Sequence, residues 1–204
     1  MKFTNSLIAS YERHALEREH SSTDAFKARE RSEFLQRLRD EQRCSILEVG
    51  CGPGHDAKFF QEQGFEVVAV DNVPAMVKLT REKGVSARVL DCYNLGQLSE
   101  TFDAVYSMNC LLHIPQADID EIFDLIAARL VEDGLMYVGV WGGEDFEGVL
   151  ERDSYEPKRF FSLRRTETLL RVLQKSFRLE YYRRLEPRDG IFFHSVIARR
   201  RPRR

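Results

Sequence analysis

The sequence predicts an α/β protein with a mostly parallel sheet and helices on both faces. Three observations carry this prediction. The run Ile46–Val49 leads into a glycine-rich turn, and a helical pattern follows from Asp56. A second apolar run, Val67–Val70, ends in an acidic residue. Further strand-like and helix-like segments then alternate along the chain, and short apolar runs are typical of strands buried on both faces.

The glycine-rich turn and the acid after the second strand indicate a nucleoside-containing ligand. Gly50, Gly52 and Gly54 occupy alternate positions, where a bare backbone allows positive φ or close approach to a ligand. The helix that follows presents unpaired N–H groups. Asp71 comes 17 positions after Gly54, a spacing at which a carboxylate can accept hydrogen bonds from both hydroxyls of a ribose.

The spacing of the glycines discriminates between nucleoside ligands. Dinucleotide-binding turns have G-x-G-x-x-G, whereas this turn has G-x-G-x-G and the next glycine is Gly64. The words Glu48-Val-Gly-Cys-Gly-Pro-Gly and Val68-Ala-Val-Asp resemble motif I and the second-strand acid of class I S-adenosylmethionine (SAM) methyltransferases. The resemblance extends to about Trp141, roughly half of the chain. An NAD(P)-binding turn, or a glycine loop that binds no ligand, is the alternative.

This resemblance implies a Rossmann-like, doubly wound sheet of seven strands in the order 3-2-1-4-5-7-6, with SAM as cofactor and S-adenosylhomocysteine (SAH) as product. It also implies an N-terminal helical lid, as in many relatives. We therefore expect N-terminal helices covering the cleft over residues 1–40 and a SAM-binding domain over 41–198. The arginine-rich segment 199–204 is expected to be a flexible basic tail, since it cannot build a core.

The resemblance also assigns residues to the cofactor. The turn would wrap the aminoacyl part of SAM, Asp71 would hold the ribose, and Asp91 would accept from the adenine amino group. Asp91 as a strand-end cap and Met76 as a core residue are the alternatives. The full set of expected cofactor residues is Glu48, Gly50, Cys51, Gly52, Gly54, Asp71, Asn72, Met76, Asp91, Cys92, Asn109 and Leu111.

Candidates for catalysis and acceptor binding come from three segments. His113 follows the fourth strand and could remove a proton from an acceptor oxygen or nitrogen, although a structural hydrogen bond is the alternative. Tyr11, on the N-terminal helix, is a lid candidate or a core aromatic. Trp141, Tyr155 and Arg159 lie in or beside the segment after the fifth strand, where relatives often build the acceptor site, or they belong to the core.

Periodicity predicts the elements of the second half. Ile119 to Leu130 reads as an amphipathic helix closed by Gly134. Leu135–Trp141 reads as the fifth strand and 142–157 as a loop. A helix over 164–175 and two antiparallel strands are predicted to complete the sheet.

Composition and charge restrict the function classes. No apolar run is long enough for a membrane helix and no secretory leader is visible. The four cysteines form no C-x-x-C pair, so no metal site is predicted and a reducing cytoplasm is expected.

Charge also bears on the acceptor. Residues 46–150 carry a net charge of −12 and residues 151–204 carry +9. The short chain favours a small-molecule acceptor, with RNA bound by the basic C-terminal region as the alternative. A subunit that binds SAM or a partner without catalysis is the second alternative. The oligomeric state is not predicted.

Overall fold

A computed structural model describes residues 4–188 and 190–202. It contains a seven-stranded sheet in the order β3-β2-β1-β4-β5-β9-β8 and a separate pair, β6-β7. Counted within the large sheet alone, this is the order 3-2-1-4-5-7-6, so the predicted fold class is confirmed. The strands are β1 Ser45–Val49, β2 Glu66–Asp71, β3 Ser86–Val89, β4 Phe102–Met108, β5 Leu130–Gly142, β6 Phe146–Val149, β7 Phe160–Leu163, β8 Phe177–Arg188 and β9 Ile191–Arg200.

The first five strands of the large sheet are parallel, and β9 pairs antiparallel with both β5 and β8. All carboxyl ends of the parallel strands therefore meet at one edge, where open α/β sheets bind ligands. The helices are α1 Thr4–Arg13, α2 Ala15–Glu19, α3 Ala25–Asp40, α4 His55–Glu62, α5 Pro74–Glu82, α6 Ile119–Ala128 and α7 Thr166–Ser176.

Two hydrophobic layers hold the helices against the sheet. On one side α6 buries Ile119, Ile122, Phe123 and Ile126, the apolar stripe that its periodicity predicts. On the other side Phe34 of α3 is fully buried against aromatic side chains of β4 and β5.

The helical segment at the N-terminus is interrupted at His14, whose Nδ1 donates to the Ser10 carbonyl at 2.8 Å. On either side of this interruption, α1 and α2 pack on α5.

The segment 142–157, predicted as a loop, contains β6, and β6 pairs antiparallel with β7. The prediction of a loop was wrong. Strand β6 has only four residues and one of them is Gly148, so the alternation of apolar and polar residues that indicates a strand is too short to be recognised. Contacts with the segment after β4 stabilise this pair. Glu147 accepts hydrogen bonds from the Gln116 N–H at 2.6 Å and from the Ser162 hydroxyl at 3.2 Å.

Gly134 does not close the helix before it. The helix α6 ends at Ala128, and Leu130 is already the first residue of β5. A Cβ at position 134 would lie 3.0 Å from the Val131 carbonyl oxygen and 3.1 Å from that of Asp103. Glycine is required there by close backbone packing in an irregular part of β5, which sequence periodicity does not distinguish from a helix end.

The predicted tail boundary was also wrong, because β9 continues to Arg200. Arg199 is only 6% exposed and donates to Glu41 at 2.7 Å and to Glu180 at 2.5 Å. A buried arginine satisfied by two carboxylates can occupy a strand end that the sequence presents as part of a charged run. Residues 203 and 204 of the predicted tail lie outside the described residues.

Within the described residues, no helix has the length and apolar character needed to cross a membrane. The same residues hold no group of three His, Cys, Asp or Glu side chains placed to bind a metal ion. The cysteines among them are all free thiols.

Candidate active site

A cavity of about 300 Å³ lies at the carboxyl ends of the parallel strands, roofed by the N-terminal helices. Strands β1, β2 and β4 each end at its wall, and Leu7 and Tyr11 of α1 close it from above. Ten of the predicted site residues line it: Tyr11, Gly50, Gly52, Asp71, Asn72, Met76, Asp91, Cys92, Asn109 and His113.

The three glycines of the turn all have positive φ but meet different surroundings. Gly50 has φ +77° and packs against Cys110, whose Cβ would lie 2.3 Å from an added Cβ. Gly54 has φ +84° and packs against Thr80. Gly52 has φ +52°, lines the cavity and would place a Cβ with no heavy atom within 4 Å. Only Gly52 therefore leaves room for a ligand to approach the backbone.

Asp71, the last residue of β2, is hydrogen-bonded to the glycine-rich turn. It accepts from the Gly52 N–H and from the Val73 N–H, each at 2.9 Å and each on a different carboxylate oxygen. An ionised carboxylate has further lone pairs, so both oxygens can still accept from hydroxyls in the cavity. Burial raises the pKa of Asp71 to about 6, and the two backbone N–H donors oppose this shift.

Asp91 occupies the equivalent position after β3. It accepts from the Tyr93 N–H at 3.1 Å and from the Asn72 side-chain amide at 3.3 Å. The predicted capping role is therefore present, and Asp91 also lines the cavity. Asn109 lies opposite, at the end of β4, with φ +56° and a buried side-chain oxygen that has no partner among the described residues. Strained backbone and an unpaired acceptor beside a cavity are typical of binding sites.

His113 and Tyr11 form a hydrogen-bonded pair across the cavity. His113 Nδ1 lies 2.7 Å from the Phe160 carbonyl oxygen, which can only accept, so Nδ1 carries the proton. The Nε2 atom is then the acceptor, and the Tyr11 hydroxyl donates to it at 2.8 Å. Burial lowers the pKa of His113 to about 4 and raises the pKa of Tyr11. At neutral pH the pair is therefore a neutral imidazole and a protonated phenol.

Arg159 contacts Tyr11 through a hydrogen bond and is itself paired with an acid. Its guanidinium donates to the Tyr11 hydroxyl oxygen at 3.2 Å and is paired with Asp153 at 2.6 Å. It also lies 3.9 Å from the centre of the Tyr155 ring, which stacks on His14 at 4.0 Å. Arg159 and Tyr155 contact the lining residue Tyr11 and do not line the cavity themselves.

A second arginine, Arg164, holds the turn that carries His113. Its side chain is 5% exposed and donates to the Leu111 carbonyl at 3.3 Å and to the Ile114 carbonyl at 2.7 Å. Burial lowers the pKa of Arg164 to about 10. The two carbonyls flank His113, so Arg164 fixes the backbone on both sides of the imidazole.

Five other predicted site residues lie away from the cavity wall. Glu48 is 2% exposed, and burial with Asp56 and Asp71 nearby raises its pKa well above the usual range. Leu111 is 2% exposed and belongs to the core, while Trp141 packs edge-on against Phe26 and Phe193. Cys51 and Gly54 form the buried side of the turn. Leu111 and Trp141 are predicted to face the ligand, but in this structure both side chains pack in or against the core and neither lines the cavity.

The cavity also has lining residues that the sequence analysis did not assign to the site, among them Arg18, Tyr93, Asp118 and Phe160. Tyr93 donates to Asp118 at 2.7 Å. Tyr93 follows the predicted Asp91-Cys92 pair directly and could have been included on that ground. Arg18 reads as a solvated residue of an amphipathic helix, and only the structure shows that it lines the cavity.

The sequence model of a family described as a methyltransferase domain matches residues 46–134, from β1 to the start of β5. Residues 46–134 are a methyltransferase domain. The family predicted from the glycine-rich turn is confirmed. The matched residues contain all of the predicted cofactor-binding residues and His113.

Curated relatives resemble the methyltransferase domain over about 100 residues. The ubiquinone biosynthesis O-methyltransferase of Xylella fastidiosa (strain M23) is 31% identical over 100 residues, 46% of this chain and 40% of that protein. The malonyl-[acyl-carrier protein] O-methyltransferase of Salmonella typhimurium is 32% identical over 101 residues, 48% of this chain and 37% of that protein. The matched region spans about two fifths of the length of these relatives.

Solved structures share the fold over nearly the whole chain. The N-methyltransferase NodS from Bradyrhizobium japonicum, in complex with SAH, has a TM-score of 0.69 at 13% identity. The similarity covers 95% of this chain and 100% of NodS. At this identity the likeness concerns the fold, which here includes the N-terminal helices and the two antiparallel strands beside the methyltransferase domain.

Proposed function

We propose that this protein is a SAM-dependent methyltransferase that transfers a methyl group to an oxygen or nitrogen of a small molecule. The observation that carries the proposal is one cavity lined by Gly52, Asp71, Asp91 and Asn109 at the carboxyl ends of the parallel strands. The methyltransferase domain and the SAH complex of NodS support the same cofactor. The relatives' names include acceptors reached through oxygen and through nitrogen.

The residues present fit SAM. Gly52 leaves open space where any side chain would intrude, and the Asp71 carboxylate faces the cavity with lone pairs free for ribose hydroxyls. Asp91 beside Cys92 offers an acceptor next to a backbone N–H, which suits the edge of adenine. Bound SAM supplies an activated methyl group on a positively charged sulfur. The protein then has to orient the acceptor and exclude water, which the N-terminal helices do by roofing the cavity.

Calorimetric titration with SAH, with NADH run beside it, tests the cofactor assignment. Micromolar binding of SAH without binding of NADH is expected. Binding of NADH alone would replace the proposal with a dinucleotide-binding one. Failure of both ligands to bind would favour a subunit that acts through a partner. If SAH binds but no acceptor is methylated in a broad screen, the non-catalytic SAM-binding alternative is favoured instead.

Replacing Asp71 by alanine should weaken SAH binding by about 1.5–3 kcal/mol, the usual range for hydrogen bonds to a charged group. The reason is the loss of both ribose contacts, and the variant also releases the Gly52 and Val73 N–H groups. Calorimetry measures the affinity, and thermal unfolding checks that the turn stays folded. Asp40, exposed at the end of α3, offers a matched Asp→Ala control. Unchanged SAH affinity in the folded Asp71 variant would contradict the role.

The affinity for SAH should also depend on pH through Asp71. Because its pKa is raised to about 6, the carboxylate takes up a proton as the pH falls below 6 and loses one acceptor oxygen. We expect the affinity for SAH at pH 5 to be about tenfold lower than at pH 7 if only the ionised form of Asp71 binds. The raised pKa of Asp71 also affects stability: its contribution to the free energy of unfolding declines as the pH rises through about 6, since burial favours the protonated form. Calorimetry at several pH values measures the profile, and Asp71→Asn should flatten it; an identical profile in that variant would assign the dependence to another group.

The charges of the C-terminal part favour a small acceptor over RNA. Several of its cations are paired with carboxylates from outside the segment, including Arg165 with Asp145, Arg183 with Glu30 and Arg199 with Glu41. These carboxylates offset part of the +9 charge of residues 151–204. An RNA acceptor remains the alternative and predicts steeply salt-dependent RNA binding. We also propose a cytoplasmic location, on the reduced thiols that the sequence suggests.

A further inference from the structure

Arg18 differs from the other arginines that the fold encloses. In residues 4–188 and 190–202, every other arginine found to be wholly or partly buried donates to a carboxylate or to a backbone carbonyl. Arg18 is partly buried and lines the cavity, yet its guanidinium donates to no described residue. A partly buried guanidinium that lines a cavity and has no partner of its own is available to pair with an anionic group of a ligand there.

The cavity wall carries charges of both signs. Carboxylates of Asp71 and Asp91 stand where the nucleoside is expected. The charge of Arg18 acts on Asp71 as well as on Tyr11 and His113, beside which the methyl acceptor is expected, and the charge of Arg159 acts on Tyr11 and His113. Arg159 is already neutralised by Asp153, so Arg18 is the cation left for a ligand among the described residues of the cavity wall. Asp118, the further acid in the wall, accepts from the Tyr93 hydroxyl.

We propose that the acceptor carries an anionic group, a carboxylate or a phosphate, and that Arg18 binds this group. The inference rests on the proposed methyl transfer and specifies the acceptor's chemistry. A guanidinium matches either anion through two parallel N–H donors. The anionic group is a recognition handle, while the oxygen or nitrogen that receives the methyl group lies beside the Tyr11–His113 pair.

Acetate and inorganic phosphate are suitable probes because they are the smallest forms of the two anions. SAH saturation is first established by calorimetry, which tests the proposed function separately. The Nε–H resonance of Arg18 is then followed by NMR while each anion, or neutral acetamide, is added to the SAH complex at constant ionic strength. We expect saturable shifts with acetate or phosphate and none with acetamide, and the stronger of the two anions identifies the class.

Variants complete the test. Arg18→Gln should weaken binding of the anion about tenfold or more, read from the signals of Tyr11 and His113, while Arg18→Lys should retain part of it. Arg13→Gln, at an exposed arginine of α1, is the matched control and should behave as wild type. The absence of a saturable shift with either anion would overturn the proposal. So would shifts that persist in Arg18→Gln, or anion binding that SAH abolishes, since Arg18 would then serve the cofactor.

Discussion

Replacing His113 by alanine should lower the rate of methyl transfer about 10²- to 10⁴-fold and leave the affinity for SAH unchanged, the range typical of lost general acid–base catalysis. The physical reason is the arrangement around its ring. The proton on Nδ1 is fixed by the Phe160 carbonyl, and the low pKa of about 4 keeps the ring neutral at pH 7. The neutral Nε2 atom can therefore receive a proton.

The proton has to reach His113 through Tyr11, because the Tyr11 hydroxyl already occupies Nε2 at 2.8 Å. We propose that an acceptor O–H or N–H gives its proton to the Tyr11 oxygen as the Tyr11 proton moves to His113. Arg159, which donates to the same oxygen, would stabilise the charge that develops there. Tyr11→Phe keeps the ring packing and should lose rate to a similar extent.

The rate is measured as SAH release with an acceptor found by screening, and SAH affinity is measured by calorimetry. His20→Ala, at an exposed histidine just after α2, is the matched control. If His113→Ala retained the full rate, His113 would have only the structural role. If it lost rate and SAH affinity together, the turn that holds it would have collapsed, and Tyr11→Phe would then decide whether proton transfer is involved.

Replacing Gly50 by alanine should destabilise the fold by about 2–5 kcal/mol. A positive φ costs an L-residue about 1–2 kcal/mol, and forcing extra volume into a packed site costs about 1–3 kcal/mol more. Here the new methyl group would lie 2.3 Å from the Cys110 Cβ atom, and φ is +77°. Chemical denaturation measures the free energy of unfolding.

Gly52→Ala is the informative comparison, since it shares the positive φ but meets no atom within 4 Å. It should lose only about 1–2 kcal/mol of stability but should lose SAH affinity, because its methyl group enters the cavity. Adding Cys110→Gly to Gly50→Ala should restore the packing part of the loss and not the part due to φ. Equal losses of stability in Gly50→Ala and Gly52→Ala would show that packing against Cys110 contributes nothing.

Local sequence signals predicted the part of the site that consists of strand ends. Apolar runs gave the strands, and Asp71, Asp91 and the glycines lie at their ends, so their meeting at one edge follows from the parallel sheet. The position of Arg18 in the cavity wall depends on how the N-terminal helices pack on the rest of the fold, and Trp141 packs against Phe26 of α3. Such facts arise from contacts between segments that are distant in the chain. The β6–β7 pair also depends on a distant segment, because it contacts residues around His113.

The N-terminal helices and the β6–β7 pair complete the wall of the cavity whose floor is formed by the strand ends of the large sheet. Phe160, Arg164 and Glu147 fasten the pair to residues 111–116, while Arg159 and Tyr155 fasten the intervening segment to Tyr11. Transplanting acceptor preference into another protein of this fold would therefore require moving both segments at once. A chimera that receives only one of the two segments would lack the contacts of Arg159 and Tyr155 with Tyr11 that join them.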